Sequence, residues 1–90
     1  AVEGLTVTLA AEFAPSIRVN CIAPSLTDSK ISQSMLKSEV VAEALAKAHP
    51  LKRLGEGKDS ASLAGFLLSD ESSWVTGQII GVDGGRSRLS

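Results

Sequence analysis

A cluster of small polar residues follows directly on a short apolar run, and it is the part of the sequence best suited to contact a ligand. Residues 17–22 are rich in β-branched and apolar side chains, which predicts a short buried strand. Pro24 ends this run, and hydroxyl and carboxylate groups follow at Ser25, Thr27, Asp28 and Ser29. Ligands of open α/β sheets bind beyond the carboxyl ends of the strands, so these groups are candidate contacts. Proline and serine also simply end strands, and the sequence leaves that alternative open.

The other side chains with reactive groups predict little further chemistry. His49 is the one side chain that titrates near neutral pH when unperturbed. The spacing places no Ser, Cys or carboxylate partner beside it, so we predict a structural or solvated role. Lys52 and Arg53 are predicted to be a solvated pair rather than a phosphate clamp. Cys21 is the single cysteine and is predicted to pack within the apolar run, and one Cys with one His does not make a zinc site.

The composition is ordinary for a soluble globular protein. The 90 residues are 43% hydrophobic and 21% charged, with a formal net charge of −1. This balance argues against nucleic-acid binding and against an anionic membrane surface. No apolar run is long enough to span a membrane, and the N-terminus lacks the pattern of a signal peptide, so we expect a cytoplasmic protein.

The first half of the chain predicts helices around the candidate strand. Residues 1–14 carry apolar side chains three and four positions apart, as in an amphipathic helix that Pro15 ends. Residues 29–48 are polar and alanine-rich and predict two short helices. These helices either form a movable flap over a ligand or merely connect two elements. Residues 49–57 are predicted to be a loop.

The second half predicts a helix followed by a second strand. Asp59 is placed to be the N-cap of a helix that runs to about Ser69. The apolar stripe of this helix consists of Leu63, Ala64, Leu67 and Leu68, widened by Phe66. Trp74 is expected to pack over a helix end, and residues 78–82 form an apolar strand.

The end of the second strand completes the predicted architecture. The run Asp83-Gly84-Gly85 is a turn that requires positive φ, and residues 86–90 are expected to be a loose tail. Two strands separated by so long a connection predict a parallel pair joined by a crossover. The sequence therefore predicts part of a doubly wound α/β sheet.

Six stretches of the chain stand in a characteristic order and spacing. They are residues 1–6, 9–12, 17–24, 49–55, 66–69 and 75–85, and the last of them, Val-Thr-Gly-Gln-Ile-Ile-Gly-Val-Asp-Gly-Gly, is the most specific. Together they closely resemble the C-terminal third of short-chain dehydrogenase/reductases. The resemblance implies a single partial domain over residues 1–90, the C-terminal portion of a Rossmann-type parallel sheet that is incomplete on its own.

The resemblance also implies a site and a cofactor. In that family the loop after the sixth strand contacts the nicotinamide end of NAD or NADP, and the matching positions are Pro24, Ser25, Leu26, Thr27 and Ser29. Ser25 stands where glycine is common and Ser29 where threonine is common, and a serine hydroxyl can bond a carboxamide or a phosphate. Residues 29–48 match the substrate loop. The implied reaction is redox of a small-molecule alcohol or carbonyl.

The catalytic residues of the family are expected outside this sequence. The family's catalytic Ser, Tyr and Lys precede the first helix, and the chain has no tyrosine at all. No catalytic residue is therefore assigned, and residues 1–90 alone are predicted to be inactive. Two hypotheses follow: a fragment of an oxidoreductase, or a non-enzymatic module that forms homo-oligomers through the strand edges and apolar faces it exposes.

Overall fold

The computed structural model describes residues 1–25 and 37–89 as an α/β unit with a two-stranded parallel sheet. We number the elements in chain order. They are α1 (Val2–Phe13), β1 (Cys21–Pro24), α2 (Glu39–Lys47), α3 (Gly57–Leu67), a 3-10 helix (Asp70–Ser72), β2 (Ile79–Val82) and α4 (Arg86–Leu89). Both α1 and α3 contact β1. No helix within the described ranges is long and apolar enough to cross a membrane.

The sheet is parallel, as the sequence predicts, but its first strand lies further along the chain than residues 17–22. Cys21 is level with Ile79 and Pro24 with Val82. The backbone N–H of Cys21 donates to Gln78 O at 2.8 Å. Backbone N–H groups of successive residues in a strand point to opposite edges. Those of Cys21 and Ser25 point to β2, so the nitrogen of Pro24 points away from it, and the strand tolerates a proline there.

The ends of the helices are set by local hydrogen bonds. At α2, Ser38 is the N-cap and its hydroxyl accepts from Val41 N. The rest of the predicted helical region lies largely outside the described residues. The prediction that Asp59 is the N-cap of α3 is wrong, because Glu56 takes that position and the Asp59 carboxylate accepts from Glu56 N at 2.7 Å. Asp59 is the third helical residue, and from that position its carboxylate reaches back to the N–H of the N-cap, as in a capping box.

The C-terminal segment is ordered by a carboxylate. Gly84 and Gly85 have φ values of 61° and 89°, which confirms the predicted turn. The prediction of a loose tail after it is wrong, since residues 86–89 form α4. The reason is local: the Asp83 carboxylate accepts from Gly85 N at 2.9 Å and from both the hydroxyl and the backbone N–H of Ser87. The hydrogen bond from the Ser87 hydroxyl contributes most to lowering the pKa of Asp83 below its usual value, followed by the bond from the Gly85 N–H.

The helix faces are less buried than their sequence periodicity predicts. In α1 the buried residues are Thr6 and Ala10, while Val2 and Leu5 are more than half exposed. Trp74 is 98% exposed, so the prediction that it packs over a helix end is wrong. Other large apolar side chains in the described ranges are also exposed, among them Phe13, Phe66 and Leu68. The reason is that the two strands and their helices offer too little surface to cover these side chains.

Arg18 ties the segment before β1 to the end of α3. Its guanidinium donates to Ser72 Oγ at 2.9 Å and Val75 O at 3.2 Å through Nη1. Through Nη2 it donates to Leu67 O at 3.0 Å and Ser69 O at 3.1 Å. The last carbonyls of a helix lack hydrogen-bond donors within the helix. Arg18, about 50 residues earlier in the chain, supplies donors at the end of α3.

Candidate functional site

Pro24 and Ser25 leave β1 at the carboxyl edge of the sheet, where two clefts meet. The Ser25 N–H donates to Val82 O at 3.2 Å, so Ser25 continues the parallel pairing by one residue. The larger cleft, about 1060 Å³, is lined by residues of β1, β2 and α4. The smaller, about 510 Å³, is lined by Ser25, His49, the start of α3 and the turn after β2. Ser25 borders both clefts.

His49 is the most enclosed side chain at this edge and is hydrogen-bonded at both ring nitrogens. It is 1% exposed. Nδ1 lies 2.8 Å from Leu45 O, and Nε2 lies 3.0 Å from Ser25 Oγ. The structural role predicted for His49 agrees with this burial, but the expectation that no serine lies beside it is wrong. The two residues are 24 positions apart, and no local pattern in the sequence signals their contact.

Three loops converge on this histidine. Ser25 comes from the loop after β1, and Leu51 N, just beyond His49, donates to Gly84 O at 3.0 Å in the turn after β2. A Cβ atom added at Gly84 would lie 3.5 Å from the Cβ of His49, and the φ of +61° disfavours any other side chain. The His49 ring therefore fixes the loops at the carboxyl edge relative to one another.

An ion pair closes the far side of the smaller cleft. Arg53 donates to both carboxylate oxygens of Asp59, each at 2.9 Å. The Arg53 hydrogen bond and the backbone N–H of Glu56 lower the pKa of Asp59 to about 2. Lys52 and Arg53 are both exposed, as predicted, and the structure adds a carboxylate partner for Arg53 six residues further along the chain. Lys52 is exposed and has a φ of 62°.

Only part of the predicted ligand site falls within the described residues. Pro24 and Ser25 stand at the carboxyl edge, as placed by the sequence. Leu26, Thr27 and Ser29 lie outside the described residues, as does the first part of the predicted flap, residues 29–36. Cys21 is half-buried in β1 beside the sheet partner Ile79. Among residues 1–25 and 37–89, no three His, Cys, Asp or Glu side chains are grouped to hold a metal ion.

A parallel α/β unit with clefts at the carboxyl ends of its strands has the arrangement of an open α/β sheet, in which ligands bind beyond those ends. The sequence profile of a family described as enoyl-(acyl carrier protein) reductase matches residues 1–87. Tropinone reductase-like 3 of Erythroxylum coca is 42% identical over 90 residues, 99% of this chain and 35% of that protein. The chain belongs to the short-chain dehydrogenase/reductase family, and it spans about a third of the length of the relatives it matches.

Solved structures agree on the fold. A 4-hydroxyisoleucine dehydrogenase complexed with NADH superposes with a TM-score of 0.85 at 27% identity, over 96% of this chain and 36% of that one. A gluconate 5-dehydrogenase from Burkholderia cenocepacia J2315, in complex with NADP and tartrate, gives 0.82 at 31% identity, over 97% and 34%. The relatives are NAD(P)-dependent oxidoreductases with a Rossmann-type fold.

Proposed function

We propose that residues 1–90 form the C-terminal third of the catalytic domain of an NAD(P)-dependent oxidoreductase that acts on a small alcohol or carbonyl compound. Among the described residues, Ala10 is the only apolar side chain that is buried. The radius of gyration is 15.7 Å, against about 12 Å for a compact domain of this length. Both features support the proposal of a partial domain whose helices and strands pack against further chain.

The observation that carries the proposal is the position of Ser25 and Pro24 at the carboxyl edge, beside a cleft of about 1060 Å³. A nicotinamide ring is flat and largely apolar, with one carboxamide, and such ligands fit clefts with apolar walls and a few polar groups. Ala23, Pro24 and Ile79 supply apolar wall, and Ser25 supplies a hydroxyl. In this proposal the cofactor is held by Pro24, Ser25, Leu26, Thr27 and Ser29.

The bound nicotinamide would supply or accept the hydride, and this chain would orient it. The proton donor for an alcohol or carbonyl must come from elsewhere, since the chain has no tyrosine. We propose that the family's Ser, Tyr and Lys lie in the part of the protein that precedes Ala1. The substrate loop would be residues 29–48.

The coding sequence upstream of Ala1 provides the first test, because the proposal requires a Tyr-x-x-x-Lys motif there. The second test measures NAD(P)H absorbance with a panel of aldehydes and ketones. We expect turnover by the intact protein and none by residues 1–90 alone. The matched control is the intact protein with the tyrosine of that motif replaced by phenylalanine, which should fold but not turn over. Turnover by the 90-residue species would overturn the proposal.

A second function, association between copies of the protein, is favoured by the exposed apolar side chains. Trp74, Leu68 and Val2 are 98%, 85% and 66% exposed in this chain. Exposed apolar side chains of this size favour association. We propose a homo-oligomer, and a stable monomer of the intact protein in sedimentation at micromolar concentration would contradict it.

A further inference from the structure

We infer that Ser25 and His49 act as one unit that presents a hydrogen-bond acceptor to the ligand, so that the site selects the N–H₂ group of a primary amide. The inference rests on the proposed function, in which that amide is the carboxamide of the nicotinamide. It adds to that proposal the direction of the hydrogen bond at Ser25 and the residue that sets it.

The direction follows from counting donors and acceptors around His49. A backbone carbonyl can only accept, so Nδ1 must carry the proton in its 2.8 Å hydrogen bond to Leu45 O. In the neutral ring Nε2 then has no proton and can only accept. At 3.0 Å from Nε2, the Ser25 hydroxyl must therefore donate its single proton to His49.

Ser25 is left as an acceptor towards the clefts. Its hydroxyl proton is donated to His49 Nε2, and its backbone N–H is donated to Val82 O. The remaining polar capacity of its side chain is the lone pairs on Oγ. A ligand oxygen without a proton, such as that of a phosphate, finds no donor at this hydroxyl, whereas an amide N–H₂ finds an acceptor.

His49 is in a position to hold this arrangement because it cannot turn freely. The ring is 1% exposed, is bonded at both nitrogens, and lies against Gly84. His49 is thus a positioning residue: it is expected to act on the ligand through Ser25, while Ser25 makes the contact.

The experiment compares two dinucleotides on the intact protein. One is NAD(P)H, and the other is its 3-acetylpyridine analogue, in which a methyl group replaces the amide N–H₂. One hydrogen bond contributes about 0.5–1.5 kcal/mol, so the wild type should bind NAD(P)H about 2- to 12-fold more tightly than the analogue through this contact. In Ser25→Ala that ratio of dissociation constants should fall by the same factor.

The control is Ser62→Ala, which removes a hydroxyl that bonds to Lys58 O within α3, away from the clefts. It should keep the wild-type ratio. Measuring the ratio cancels any general loss of affinity caused by a looser fold. If Ser25→Ala and Ser62→Ala give the same ratio, the inference is wrong although the proposed function stands. If the intact protein binds neither dinucleotide, the proposed function and this inference both fail.

A second measurement tests the hydrogen-bond direction without the cofactor. The ¹⁵N chemical shifts of the His49 ring in the intact protein should show a protonated Nδ1 and an unprotonated Nε2. Ser25→Ala should shift the Nε2 resonance and leave Nδ1 nearly unchanged, because the bond to Leu45 O persists. A neutral ring protonated at Nε2 would overturn the inference.

Discussion

Replacing Arg18 by methionine should lower the free energy of unfolding by about 2–4 kcal/mol. The half-buried guanidinium donates four hydrogen bonds, to Ser72 Oγ and to the carbonyls of Leu67, Ser69 and Val75. Hydrogen bonds to charged groups contribute about 1.5–3 kcal/mol each, so simple addition gives about 6–12 kcal/mol.

The three carbonyls reduce that sum because each of them has a second donor. Ser72 donates its hydroxyl to Leu67 O at 3.0 Å and its backbone N–H to Ser69 O at 3.4 Å. Asn20 Nδ2 donates to Val75 O at 3.1 Å. Removing the guanidinium therefore leaves no carbonyl without a partner, and the penalty of an unpaired buried acceptor does not arise. The expected loss is that of one or two charge-assisted bonds, about 2–4 kcal/mol.

Urea titration of the protein measures this loss. Arg18→Lys keeps the charge but not the planar fork of donors, so it should recover part of the stability lost in Arg18→Met. The matched control is Arg88→Met, at an exposed position of α4, where a change within about 0.5 kcal/mol is expected. Equal stabilities of Arg18→Met and Arg88→Met would refute the reasoning.

Three further predictions concern single positions. Because the pKa of Asp59 is lowered to about 2 by Arg53 and the Glu56 N–H, its contribution to stability is complete above about pH 4, the unfolded value. That contribution is lost as the pH falls towards 2, and Asp59→Asn should remove this part of the pH dependence of the denaturation midpoint. Lys52→Gly should raise the unfolding free energy by up to about 1 kcal/mol, since Lys52 has a φ of 62°. Trp74→Ser should weaken self-association in sedimentation while leaving the denaturation midpoint nearly unchanged, because the indole is 98% exposed.

Each of these has a result that would contradict it. The Asp59 prediction is contradicted if the difference in denaturation midpoint between the wild type and Asp59→Asn stays constant from pH 4 to pH 2. A destabilised Lys52→Gly would show that the loss of glycine entropy outweighs the strain at that position. A large drop in midpoint for Trp74→Ser would mean that the indole is packed in the folded protein.

Features that depend on neighbouring residues can be predicted from the sequence alone. Apolar spacing identified α1, α3 and the second strand, because these patterns follow the repeat of a helix or a strand. The pair of glycines after β2 identified the turn, because positive φ is a property of single residues. The order of the motifs identified the family.

Features that depend on residues far apart in the chain require the three-dimensional structure. The register of β1 was fixed by its pairing with β2, which moved the strand from residues 17–22 to Cys21–Pro24. Ser25 met His49 across 24 residues, and Arg18 met Ser72 across 54. Neither contact leaves a periodic signal, since each forms only when the sheet and α3 bring distant segments together. The exposure of Trp74 likewise leaves no signal in the sequence, because it depends on which distant parts of the chain pack against the indole.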